Sequence, residues 1–239
     1  MIRQIHIYYR EKVPLFIRKP LSEYREYLAH QRLRKTEGSL LHHFDKNQCI
    51  FIHIPKCAGI SVEKSLFGDV SGGHITAGKF RRIFGETNFK RYYKFTFVRN
   101  PWDRLLSTYN FLNRGGINEM DKKWADNNLV DVDNFEEFVF KKINPDAVLK
   151  WIHLIPQYKF LVHEHGSLQV DFIGYFERLE EDYNRVRDAL GIGATLLHLN
   201  QGNISVKSNK YYRRYYSQEM KEIVQNVYWE DIKFFGYNF

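Results

Sequence analysis

Apolar residues along the chain gather into short runs that stop at proline, glycine or charge. Residues 48–54 (QCIFIHI) are apolar on both alternating faces, with Ile50, Ile52 and Ile54 on one and Cys49, Phe51 and His53 on the other. A short run apolar on both sides predicts a strand buried on both faces. Residues 92–98 (YYKFTFV) and 170–176 (VDFIGYF) predict two more strands. Between them the period changes. Leu179, Tyr183, Val186 and Leu190 recur at helical spacing up to Gly191, and Met220, Ile223, Val224 and Val227 mark a final helix over 217–235. Helices are also predicted over 61–67, 76–84 and 134–142. The helix over 100–112 has clear punctuation, with Asn100 suited to the cap, Pro101 to the first position and Asp103 to the first turn. Residues 113–133 are polar and glycine-containing and read as a loop or lid. Strands alternating with helices predict an α/β fold, a mostly parallel central sheet flanked by helices.

Residues 1–46 differ from the rest. They are basic and carry no strong strand, and 21–35 is helix-like, with Leu21, Tyr24 and Leu28 on one face. They are expected to form a helical extension packed on or beside a main domain at 47–239. A cap on the core, an oligomer contact and a peripheral membrane contact all stay open for this segment.

Composition changes this picture little. The 239 residues include 44% hydrophobic and 27% charged positions, as in ordinary globular proteins, and suffice for one sizeable core. The net charge of +8 favours polyanionic or phosphorylated partners. No nucleic-acid-binding module accompanies it, so no nucleic-acid partner is expected. The two cysteines, Cys49 and Cys57, make no disulfide framework and read as reduced thiols. No apolar run reaches the length of about 18 residues that a membrane span needs, and the N-terminus does not read as a secretory signal, so a cytoplasmic location is expected.

The chemistry concentrates in two segments. Residues 54–61 (IPKCAGIS) join a predicted strand to a predicted helix. A phosphate cradle needs inward N–H groups, small residues and a helix N-terminus, and Ala58, Gly59 and the following helix supply these. Lys56 adds a full charge. An ordinary strand-to-helix turn with an exposed lysine is the competing reading of this segment alone. The Walker A order is absent, because the lysine precedes the glycine. In residues 95–109 (FTFVRNPWDRLLSTY), Arg99 falls at the carboxyl end of a strand, where open α/β sheets bind ligands. Ser107 lies two turns into the helix. An arginine fork and a hydroxyl converging on one anion make a phosphate clamp.

Together these segments resemble the sulfotransferases that use 3′-phosphoadenosine 5′-phosphosulfate (PAPS), in the branch that includes carbohydrate sulfotransferases. Residues 55–61 look like the family's 5′-phosphosulfate motif and 98–109 like its 3′-phosphate motif. Residues 171–191 and 231–237 agree more weakly. Cys57 and Ile60 stand where this branch often has threonine, so a side-chain hydroxyl contact would be lost at each. The resemblance implies a P-loop-like sulfotransferase fold, and PAPS as donor with 3′,5′-adenosine bisphosphate as product. It also implies sulfuryl transfer to a hydroxyl of a glycan or glycolipid, without a metal. It assigns Lys56 to the bridging oxygen of the leaving phosphate. Lys56, Cys57, Ala58, Gly59, Ile60 and Ser61 would surround the 5′-phosphate, and Arg99 and Ser107 would hold the 3′-phosphate. Lys210 or Arg213 would cover the nucleotide from a late basic loop.

The acceptor hydroxyl needs a base. His74, in the flexible sequence Gly72-Gly73-His74, is the choice, with an acid limb expected near the ordinary imidazole pKa of about 6.5. Glu63 and Asp69 are the nearest carboxylate alternatives. His53, flanked by isoleucines, reads as a core residue, and His163-Glu164-His165 as a solvated turn. Two rival functions stay open. One is a kinase-like phosphotransferase, which would need a magnesium site. The other is a non-catalytic anion- or glycan-binding module.

Overall fold

The computed structural model describes residues 15–70, 72–162, 166–197 and 211–239. Three strands form one parallel sheet in the order β1 (Cys49–Ile52), β2 (Tyr93–Val98) and β3 (Phe172–Tyr175). Every β1 residue is buried, as its two-sided apolar pattern requires. Register sets Phe51 opposite Phe95, and their rings stack at 5.0 Å. Gly174 is fixed by packing, because a β-carbon there would lie 2.5 Å from the Phe97 ring.

Helices flank the sheet. In chain order they are α1 (Leu15–Lys35), α2 (Leu40–Asn47), α3 (Gly59–Phe67), α4 (Ala77–Arg91), α5 (Pro101–Leu112), α6 (Glu119–Asn128), α7 (Phe135–Lys142), α8 (Leu179–Leu190), α9 (Gln218–Val227) and α10 (Trp229–Phe235). Two apolar clusters hold them. One joins the strands to α2, α3, α4 and α8 through Phe44, Ile50, Phe67, Phe80, Phe95 and Tyr183. The other joins α5, α7 and α9 through Trp102, Leu105, Phe138, Met220 and Val224. Among the described residues, no helix is long and apolar enough to cross a membrane.

The structure departs from the sequence pattern at four places. Residues 113–133, expected as a loop or lid, contain α6. Asn118 caps it by accepting hydrogen bonds from the N–H groups of Met120 and Asp121, both at 2.9 Å. The expected helix over 217–235 breaks at Tyr228 into α9 and α10. The helix expected over 76–84 continues to Arg91 past a break at Gly85, where φ is 77°. Residues 40–47, inside the expected extension, form α2, capped by Ser39, with Leu40, Leu41 and Phe44 buried.

The topology places the loops that leave β1 and β2 side by side at the carboxyl end of the sheet, where α/β folds bind ligands.

Phe44→Ala tests how firmly α2 belongs to this core. Phe44 is fully buried, with edge-to-face contacts to Phe67 at 5.4 Å and Phe80 at 5.8 Å. Urea unfolding of the variant is expected to show a loss of about 3–5 kcal/mol. A loss below about 1 kcal/mol would mark residues 40–47 as a detachable extension.

Candidate active site

The loop after β1 has a backbone that most residues avoid. Lys56 and Ala58 have φ of 67° and 63°, in the left-handed region that side chains disfavour. Such positions cost on the order of 1–3 kcal/mol each and persist only where their surroundings fix them. Here three contacts do so. Arg104 Nε donates to the Pro55 carbonyl at 3.1 Å, Arg99 Nη1 donates to the Lys56 carbonyl at 3.2 Å, and the Cys57 thiol donates to Gln157 Oε1 at 3.2 Å. Ala58 then opens α3 and offers no side-chain cap to the first N–H groups of the helix. Glycine is required at 59 because a β-carbon would lie 1.9 Å from the His53 ring. Uncapped N–H groups, the positive end of the helix dipole and an adjacent lysine form a place for an anion.

Lys56 Nζ lies 4.0 Å from the centre of the Phe111 ring and makes no ion pair among the described residues. Burial, then the Arg99 charge, pulls its pKa down to about 8. Arg99 leaves the end of β2 with Nε on Asp103 at 2.7 Å and its guanidinium 4.0 Å from the Phe176 ring. Ser107 is half-buried one turn beyond Asp103 on the same face of α5. Arg213 sits on a 3₁₀ turn, Tyr211–Tyr215, that packs on α5. It donates to the Phe239 carbonyl, and its buried Nε has no partner. Arg213 also lines an open cavity of about 180 Å³ with Asn100, Glu177, Tyr212 and Tyr237. Lys210 and His163–His165 lie outside the described residues.

Beneath the loop, one buried amide joins its parts. Gln157 Oε1 accepts from the Cys57 thiol and from the Arg99 N–H at 2.9 Å, while Nε2 donates to the Arg99 carbonyl at 2.8 Å. The Gln157 and Tyr158 N–H groups both donate to the Asp231 carboxylate at 2.8 Å. Asp231 has no exposed surface, and burial raises its pKa to about 6. Arg104, also buried, spans from Pro55 to the carbonyls of His153 and Ile155.

Beside Lys56 stand three histidines. His74 Nδ1 lies 3.0 Å from the His53 carbonyl. A carbonyl only accepts, so Nδ1 carries the proton and Nε2 keeps its lone pair. Burial, with His53 beside it, lowers the His74 pKa to about 3, far below the ordinary imidazole value. The expected acid limb near 6.5 is therefore displaced downward in the free protein. His53 is buried, as expected, and its Nδ1 pairs with Glu63 at 3.1 Å. Glu63 also accepts from the Gly72 N–H at 3.4 Å and so steadies the loop that carries His74. Asp69 faces solvent and pairs with Lys64 at 2.5 Å. The third histidine, His153, is buried with Nε2 3.0 Å from Asp121 Oδ1. Burial lowers its pKa to about 4, against the opposing pull of Asp121.

The structure thus gathers Lys56, Gly59, Arg99 and His74 around one loop, with Ser107 along α5. Sequence reasoning missed Gln157, Arg104, Asp121 and His153. Only Asp121 left a readable trace, as the third residue after a capping asparagine. Both cysteines are buried free thiols. Among the described residues, no group of three His, Cys, Asp or Glu side chains converges to hold a metal ion.

Comparison with known proteins agrees with this arrangement. The chain is 34% identical over 118 residues to an uncharacterized protein of Archaeoglobus fulgidus, a match that spans 49% of this chain and 83% of that one. No solved structure matches. A model of the sulfotransferase family matches residues 41–238, which include the loop, the β2–α5 clamp, His74, Gln157 and Asp231, and the chain belongs to that family.

Proposed function

We propose that the protein moves a sulfuryl group from PAPS to a hydroxyl of a carbohydrate or glycolipid acceptor. The observation that carries this reading is the pairing of a charged, uncapped anion cradle with a neutral imidazole across one loop. Lys56 and the N-terminus of α3 supply the cradle, and His74 supplies the lone pair. PAPS is the donor we assign, because it carries anionic groups at its 5′ and 3′ positions and the site offers Lys56 with the α3 N-terminus for one and the neighbouring Arg99 guanidinium for the other. Lys56 and α3 would take the 5′-phosphosulfate. Arg99 with Ser107 would take the 3′-phosphate, with Arg213 at the edge of the adjoining cavity.

The chain's own groups then divide the work. The acceptor oxygen attacks sulfur in line, and the bond to the 5′-phosphate oxygen breaks. Negative charge grows on that oxygen as the bond lengthens. A preorganised cation and N–H donors aimed there lower the barrier, and the rigid loop pays little reorganisation cost. In this reading Lys56 takes this role. On the acceptor side, His74 Nε2 takes the hydroxyl proton. Its low pKa keeps it unprotonated at neutral pH, so the base is available without prior deprotonation. The half-buried aromatic side chains nearby, Phe111 and Trp124, offer apolar surface for a sugar ring.

A screen with sulfur-labelled PAPS and polysaccharide, glycolipid and phenol acceptors tests the reading. Transfer is expected with at least one glycan, in the presence of EDTA. Transfer of phosphate from ATP that depends on added magnesium would favour a phosphotransferase instead, and binding without any transfer would favour an anion- or glycan-binding module.

Lys56→Ala is expected to lower kcat by about 10²–10³-fold with the fold intact. Lys56→Arg should recover little, since the wide guanidinium does not replace an ammonium in a tight loop. Because the charged form binds the donor and the pKa is near 8, donor affinity in the wild type should fall as pH rises through that value. Wild-type turnover in Lys56→Ala would contradict the assignment.

His74→Ala should lower kcat by about 10²–10⁴-fold with donor affinity unchanged. Histidine NMR of the ligand-free wild type should show His74 neutral well below its ordinary pKa of about 6.5. A His74 that titrates near the ordinary value, or a variant with full turnover, would remove it as the base.

A further inference from the structure

The pair His153–Asp121 has no part in the transfer described so far, yet it borders the reacting groups. His153 is 8% exposed and Asp121 is 2% exposed. The Asp121 carboxylate accepts from His153 Nε2, so Nε2 carries the proton and Nδ1 keeps its lone pair. That Nδ1 is buried without a hydrogen-bond partner among the described residues. An orphaned acceptor costs on the order of 1–3 kcal/mol and calls for a reason. The surroundings supply one. The His153 ring stands 5.6 Å from the His74 ring, centre to centre, and 4.9 Å from the Phe111 ring, over which Lys56 lies.

We infer that His153, oriented by Asp121, is a positioning residue that receives through Nδ1 the proton His74 takes from the acceptor. This rests on the sulfuryl-transfer reading above. As the acceptor oxygen bonds to sulfur, the sulfur–oxygen bond to the 5′-phosphate breaks and its electron pair leaves with the phosphate. The hydroxyl proton goes to His74 Nε2. It then passes to His153 Nδ1, directly after a small ring rotation or through one bridging water. His153 becomes an imidazolium with Nε2–H still on Asp121, and the proton leaves to solvent before the next turnover. His74 returns to its neutral form.

The charges around the pair fit the task. Lys56 on the loop and Arg104 on α5 disfavour a resting imidazolium at His153, while Asp121 on α6 favours one. His74 itself is held neutral by burial, by His53 and by His153. The relay is therefore empty at rest and has a carboxylate to balance the transient charge. Asp121 is fixed in turn. Its Oδ2 accepts from the Ile117 N–H at 3.3 Å, and Gly116 packs so closely that a β-carbon would lie 2.1 Å from Asp121 Cβ.

A purely structural tie between α6 and the 153–155 segment predicts different behaviour. His153→Gln keeps an amide donor near the Nε2 position and so keeps the bond to Asp121, but it cannot take a proton. With sulfur-labelled PAPS and chemically desulfated glycosaminoglycan chains, His153→Gln is expected to lower kcat by about tenfold or more. KM for PAPS and the melting temperature should stay near wild type. Asp121→Asn, which keeps shape and removes charge, should act in the same direction. Nitrogen NMR of the wild type should show His153 as the neutral Nε2–H tautomer at neutral pH. Full kcat in His153→Gln, or an Nδ1–H tautomer in the wild type, would overturn the relay while leaving sulfuryl transfer standing. Absence of transfer by the wild type would overturn both, so the two failures are read from different samples.

Discussion

The site depends on one uncharged group, the buried carboxamide of Gln157. Its two ends use their full capacity, since Oε1 accepts from Cys57 and Arg99 and Nε2 donates to the Arg99 carbonyl and to Asp231. The loop after β1 and the end of β2 thereby share one anchor. That anchor rests on Asp231 at the start of α10, which accepts the N–H groups of Gln157 and Tyr158. Arg104 completes the frame by gripping Pro55 from α5. A cradle built from backbone N–H groups holds its shape only if the backbone cannot relax. Left-handed residues at 56 and 58 would relax without such anchors.

Rigid placement sets the electrostatics on both sides of the loop. Lys56, crowded by Arg99 and shielded from water, sits near a pKa of 8. It is cationic at neutral pH, and among the described residues no carboxylate forms an ion pair with it. The histidines nearby are driven the same way by the same burial, to about 3 for His74 and about 4 for His153. One physical cause, desolvation, thus weakens the hold on protons at both ends. For a lysine facing an anion the missing counter-charge is what the anion supplies. For a base facing a hydroxyl the missing proton is what the hydroxyl supplies.

Much of this was legible in the sequence. The three strands were marked by short apolar runs, two-sided in the first, and Arg99 and Lys56 were placed by where those runs end. Asn100 and Pro101 announced α5, and Asn100 indeed accepts from Trp102 N at 3.1 Å. What escaped was whatever depends on segments meeting in space. Gln157 and His153 lie in a stretch of turns with no period to read. Arg104 reads as one more charged residue on a helix, although it is 2% exposed. α6 escaped because its few apolar positions do not make a stripe, and its start is set by Asn118. α2 escaped because eight residues flanked by charge resemble the end of a basic extension. The depressed histidines were also invisible, because a pKa follows burial and neighbours, which a sequence does not show.

The central claim is that the β1 loop and the β2–α5 clamp form one seat for a nucleotide with phosphates at both the 5′ and 3′ positions. Calorimetry with two ligands tests it most directly. The wild type is expected to bind 3′,5′-adenosine bisphosphate more tightly than adenosine 5′-phosphate. Arg99→Ala and Ser107→Ala are expected to abolish most of that difference while changing adenosine 5′-phosphate binding little. Equal binding of the two nucleotides by the wild type, or equal losses for both in the variants, would contradict it.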